Sequence, residues 1–180
     1  MKNFNKISFV LFLILIGAAT RFFPHAPNFT AIGAMALFGG AYLPKKTALI
    51  LPILAMAISD AFLGFYDLRM MAFVYGSFLI CVFMGFFLKK NKKLYSILAA
   101  SFLSAFLFFV LTNFAVFIFT PWYEKTLSGL MQCYIMALPF FKNNLLGDIF
   151  YTGVFFGAFE AARFFVAKKI KSSEALVNTN

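Results

Sequence analysis

The chain has 180 residues, 63% of them hydrophobic and 12% charged, with a mean hydropathy of +0.89 and a formal net charge of +10. Soluble globular domains carry about 25% charged residues, so half that share, together with 29 phenylalanines, excludes an ordinary water-soluble domain and leaves one all-α, polytopic membrane domain over residues 1–180. The positive balance does not signal nucleic acid, because the lysines stand in short clusters between apolar runs, where flanks of membrane spans stand.

The predicted elements follow in chain order. A first span covers about 7–23. Its start, with Lys2, Lys6, an apolar run and then "GAAT", also has the layout of a cleavable signal peptide over 1–19. The stretch 21–30, "RFFPHAPNFT", is polar and holds the chain's single histidine. Both of its prolines fix φ and lack an N–H, so it is expected to be a stiff loop. A second, short span covers 30–43, a third 46–65, a fourth 70–88 and a fifth 94–119. The segment 120–142 has Leu127, Leu130, Met131, Tyr134, Ile135 and Leu138 at helical spacing. It is expected to lie on the outer interface as an amphipathic segment. A sixth span covers 143–166, followed by a cytoplasmic tail, 167–180.

Charge tests this count. With the N-terminus inside, the inner side carries Lys2, Lys6, Lys45, Lys46, Lys89, Lys90, Lys92, Lys93, Lys168, Lys169 and Lys171, with Arg163 near it. The outer side carries Arg21, Arg69, Lys125 and Lys142. That asymmetry predicts six transmembrane helices with both termini cytoplasmic.

Charged and polar side chains inside spans cost about 2.5–3.5 kcal/mol each at the bilayer centre and are functional candidates by default. Asp60, Asn113 and Asp148 each fall roughly 7–9 Å below the expected outer boundary at 1.5 Å per residue. Arg21, His25, Asn28 and Thr30 approach from the 21–30 loop, and Tyr66, Asp67 and Arg69 from the turn after span three. The functional expectation is an outward cup for a small polar solute, lined by Arg21, His25, Asn28, Asp60, Asn113, Trp122, Asn144 and Asp148. The acids would accept hydrogen bonds or balance a cation, the asparagines would orient the solute, and Trp122 would stack on it. The structural alternative is internal pairing of Asp60 or Asp148 with Arg21 or Arg69.

Small residues form two further patterns. Gly153, Gly157 and Ala161 recur every four residues in span six, with Glu160 beside them and Arg163 three residues on. Gly33 and Gly40 belong to a small-residue run in span two. Both patterns permit close helix packing, internally or against a partner membrane protein. No P-loop, GxSxG or HExxH pattern is present. A lone histidine and two separated cysteines, Cys81 and Cys133, make no metal or disulfide framework. The sequence therefore predicts no enzyme, no cofactor, no metal and no ATPase of its own.

Three stretches carry a resemblance: "RFFPHAPNFTAIGAMALFGGAYLPKK", "AISDAFLGFY" and "NNLLGDIFYTGVFFGAFE". The chain resembles, over roughly residues 18–166, an uncharacterised bacterial membrane-protein family described as transport proteins. The stretch "PHAPNFTAIGAMALFGGA", Pro24–Ala41, is its most specific part. In size, helix number and topology that family is similar to the substrate-capture (S) components of energy-coupling factor (ECF) transporters. The resemblance implies a site near the outer face, closed by the first outer loop. It also implies partnership with a transmembrane coupling protein and two cytoplasmic ATPases. One departure is visible: such components dock through small residues of the first helix, and 7–16 here is bulky. The function expected is uptake of a small, water-soluble, vitamin-like solute. A stand-alone or homodimeric permease or channel, and a structural membrane protein without a transport role, are the alternatives.

Overall fold

A computed structural model describes residues 6–24 and 26–177, with side chains to Lys169. The expectations on His25 and Lys2, and on the side chain of Lys171, lie outside the described residues. Among those residues the protein is all-helical: α1 (Lys6–Ala19), a 3-10 turn (Thr20–Phe22), α2 (Ile32–Tyr42), α3 (Lys45–Leu63), α4 (Leu68–Leu88), α5 (Leu94–Phe119) and α6 (Leu127–Val177). Four of these, α3 to α6, are long and apolar enough to cross a membrane. α1 is 14 residues long and stops before the tighter turn that carries Arg21, so the first expected span ends earlier than residue 23.

α2 is the centre of the bundle. It has 11 residues, about 16 Å of helix, and every residue from Ile32 to Ala41 is buried. A helix that is apolar on all sides has to be enclosed by others, and α2 touches every other helix. Glycine allows the closest of these contacts. A Cβ on Gly40 would strike the Val82 carbonyl and come within 2.9 Å of the Gly85 Cα, so α2 and α4 meet backbone to backbone. On the other side Phe38 is wrapped by Phe155, Phe156 and Phe159 of α6, with ring centroids 5.1–5.9 Å away.

Local chemistry sets the helix ends. Gly64 terminates α3 at φ 105°, and its N–H reaches the Asp60 carbonyl at 2.9 Å. Asp67 then opens α4: its carboxylate accepts the N–H groups of Arg69 and Met70 at 3.0 and 3.2 Å, an N-cap. The Arg69 side chain closes on the same carboxylate at 2.9 Å. That hydrogen bond first, and the backbone donors after it, pull Asp67 below the usual carboxylate range. At the opposite end the Lys89 ammonium donates to the Leu43 carbonyl at 2.7 Å, tying the 89–93 turn to the end of α2.

The end of the chain departs from expectation. The segment 120–142 is not a separate interfacial helix. A short loop, 120–126, leads into α6, which runs unbroken for 51 residues through Pro139, through the expected boundary at 143 and past the expected tail start at 167. Nothing beyond Pro139 interrupts that run, and one proline removes a single hydrogen bond. Leu127, Met131, Ile135 and Leu138 are exposed, whereas Gly129, Cys133 and Ala137 turn inward. Against lipid, small residues earn the helix–helix contact and large ones face outward. Large exposed apolar side chains, Phe62, Leu68, Phe87 and Phe165 among them, cover the rest of the outside. Such a surface suits lipid rather than water.

Candidate functional site

A cavity of about 210 Å³ opens at the end of the bundle that carries the 21–30 loop. Its polar lining comes from four places: Arg21 of the 3-10 turn, Asn28 and Thr30 of the loop, Tyr66 between α3 and α4, and Asn144 of α6. Its apolar wall includes Phe78 of α4 and Phe108 of α5, whose rings lie 5.0 Å apart.

Arg21 lines the cavity and closes a network behind it. One terminal nitrogen donates to Asp60 Oδ1 at 2.9 Å, and the other donates to the Ser59 hydroxyl and approaches the Met56 sulfur at 3.0 Å. The Tyr75 hydroxyl donates to Asp60 Oδ2 at 2.7 Å. Asp60, 2% exposed, is thus paired on both oxygens and stands behind the cavity wall. For this acid internal pairing holds, and the expectation that it lines the cup is corrected. Tyr66 sits outside the helices, where burial first and the Asp60 charge second push its phenol up to about 12. It therefore presents a neutral O–H near the cavity.

The loop is held from α6. Asn143 Nδ2 donates to the Pro27 carbonyl at 3.1 Å. Asn28 follows with φ 62°, a left-handed conformation that asparagine tolerates. A Cβ at Gly147 would lie 3.2 Å from the Thr30 nitrogen and 3.3 Å from the Phe29 Cα, so this glycine lets the loop backbone rest on α6. Phe29 stacks near Phe150 and Tyr151, at 6.1 and 5.8 Å. One residue past Gly147, Asp148 reaches the start of α2. Its carboxyl occupies the space that a Cβ of Gly33 would fill, and it accepts the Ala34 N–H. The first turn of a helix has unsatisfied N–H groups and a partial positive charge. No side chain of α2's own N-cap residue, Ala31, serves them. Asp148 does so from another helix.

Of the predicted lining residues, Arg21, Asn28 and Asn144 meet in the cavity. Asp148 lies beneath it, 2% exposed, against α2. Asn113 does not reach it, because its amide donates back to the Phe109 carbonyl of its own helix at 2.8 Å. Trp122 is 73% exposed on the 120–126 loop and stacks on nothing in the cavity. Gly33 and Gly40 are consumed by internal packing, so neither is open to a partner. Gly153 and Gly157 have open space where a Cβ would stand, and Ala161 is exposed with them. Glu160 accepts from the Tyr42 hydroxyl at 3.1 Å and from Arg163 at 2.8 Å. Sequence reasoning passed over Tyr75 and Ser59, the partners that close the Arg21–Asp60 network. A tyrosine and a serine inside apolar spans carry no signal until a neighbouring helix supplies the acid. No curated protein and no solved structure matches the chain. A family profile matches residues 1–172, nearly the whole length, and by it the chain belongs to DUF6580, a family of unknown function.

Proposed function

We propose that the protein is a membrane-embedded substrate-binding component for uptake of a small, water-soluble solute, similar in role to the S components of ECF transporters. The carrying observation is the cavity lined by Arg21, Asn28, Thr30, Tyr66 and Asn144 beneath the proline-stiffened loop. Its volume, about 210 Å³, suits a molecule of vitamin size. The lining combines these polar groups with the Phe78 and Phe108 rings, the mixture that fixes orientation in small-molecule sites. In this reading the loop end faces outward, the lysine-rich end faces the cytoplasm, and α1 and α2 complete six helices in a bacterial inner membrane. A transmembrane coupling protein and cytoplasmic ATPases would supply the energy. The open Gly153, Gly157 and Ala161 face of α6 is the surface left for such a partner.

The test is thermal stabilisation of the purified protein by a panel of small metabolites. One compound is expected to raise the midpoint of wild type and to lose its effect in Asn144→Ala and Asn28→Ala. A panel without any stabilising member sinks the proposal. The closed pairing of Asp60 favours a second reading, a structural membrane protein. Uptake in cells that depends on Asn144 would exclude it. Flux into vesicles holding this protein alone would instead support a stand-alone permease.

A further inference from the structure

Three buried polar atoms lack a hydrogen-bond partner among the described residues: Asp148 Oδ1, Asn144 Oδ1 and Ser104 Oγ. The three residues are 2%, 7% and 1% exposed. Buried polar groups in proteins are normally paired, and an orphan of this kind calls for an explanation. Two of them stand on α6 and the third on α5, which packs along it, so they call for a shared one.

The atoms are brought together by the fold. Asn144 and Asp148 are one turn apart on α6 and share a face. Ser104 comes from α5, which packs along α6. Ser101, one turn from Ser104 on α5, has its Oγ 3.3 Å from Oγ1 of Thr152, one turn from Asp148 on α6, which brings the Ser104 hydroxyl near the level of the Asp148 carboxyl. α2 contributes its first turn, through Gly33 and Ala34, and no titratable side chain.

Charge decides what belongs there. No lysine, arginine or histidine pairs with Asp148 among the described residues, because Arg21 is committed to Asp60, Arg69 to Asp67 and Arg163 to Glu160. The N-terminus of α2 offsets roughly half of the carboxylate charge, with both oxygens standing against Gly33. About half a negative charge is left on the carboxyl, within apolar surroundings that penalise it. All three orphans are oxygens, the donors that hard cations select. A proton would bridge two of them and leave the third bare, whereas a metal ion faces all three. A divalent ion would need more carboxylates, and no group of three acidic, histidine or cysteine side chains is present among the described residues.

We infer that Asp148, Asn144 and Ser104 bind one sodium ion just beneath the solute cavity. Asn144 belongs to both sites: it lines the cavity, and its carbonyl oxygen turns to the ion. Ion occupancy therefore fixes the orientation in which the Asn144 side chain meets a solute. Membrane transporters place coupling ions in this relation to substrate, beside helix ends near the substrate site. The ion site rests on the surroundings of Asp148, and stands or falls separately from the identity of any solute.

The experiment uses full-length protein purified in sodium-free choline chloride and titrated with sodium chloride at constant ionic strength, with potassium chloride as control and no solute added. Sodium is expected to raise the unfolding midpoint by about 5 °C near saturation, with no comparable shift from potassium. Ser104→Ala is expected to weaken the apparent sodium affinity by about tenfold, and Asp148→Asn to abolish the response. Absence of a sodium-specific shift in wild type overturns the inference, and that measurement needs no variant to fold. An equal shift with potassium, an undiminished shift in Asp148→Asn, or stabilisation by acid in place of sodium overturns it too.

Discussion

Arg21 serves two groups that a lysine could not serve together. Its fork holds Asp60 with one nitrogen and Ser59 with the other, while the side chain still borders the cavity. Removing one partner of a buried ion pair leaves the other charge uncompensated, at a cost of about 3–5 kcal/mol. Arg21→Met is therefore expected to destabilise the protein severely, and Arg21→Met combined with Asp60→Asn to recover most of the loss. Denaturation of both variants in detergent checks this: a double variant no better than the single one would show that Asp60 is not the reason. Tyr75→Phe removes one hydrogen bond to the same carboxylate and should cost about 1–2 kcal/mol. The sequence made Arg21, Asn28, Asn144 and the two buried acids visible, because polar residues in an apolar chain are conspicuous. It could not show which of them face the cavity. Asn113 has the right depth and the wrong direction, and a back-bond to its own helix is invisible before the structure.

At the scale of elements, glycine position separates contact from surface. Gly40 lies against the Val82 carbonyl and Gly85, whereas Gly153 meets nothing within 4 Å. Gly40→Leu is expected to force α2 from α4 and to lose folded monomer on size-exclusion chromatography, since overpacking costs about 1–3 kcal/mol even where neighbours yield. Gly153→Leu should leave the monomer and its unfolding midpoint nearly unchanged. If both variants behave alike, the α2–α4 contact is not what holds the bundle. The spacing of small residues was legible in both helices, but spacing alone does not say which stripe is enclosed. The same limit explains the 120–142 segment. Its apolar stripe fits a helix lying on the membrane interface as well as one whose large residues meet lipid along a span. In a chain bathed by lipid those residues are the outer face, and Gly129, Cys133 and Ala137 make the contact. What the spacing did not show is the continuity of α6 through Pro139.

For the whole molecule, the two ends of the bundle differ in charge as they do in architecture. One end holds the cavity, the Asp67–Arg69 pair and the stiff loop. The other holds Lys45, Lys46, Lys89, Lys90, Lys92 and Lys93. Cys81 and Cys133 are both buried, so single cysteines placed at Ala26 and at Lys90 report orientation cleanly. Ala26→Cys should react with a membrane-impermeant thiol reagent in intact cells, and Lys90→Cys only after permeabilisation. The reverse pattern would place the cavity on the cytoplasmic side and remove the uptake proposal.

The clamp between α6 and the start of α2 also orders events in time. The Asn143 amide that grips the Pro27 carbonyl comes 116 residues after it, and the carboxyl that caps α2 follows close behind. While the ribosome is still making α3, α4 and α5, the second helix has neither its cap nor its enclosing neighbours, and at 11 residues it is short for a bilayer. The heart of the bundle is thus translated well before the residues that secure it. Truncation before residue 143 should leave the early chain vulnerable to membrane proteases, and restoring the final helix, even as a separate polypeptide, should rescue it.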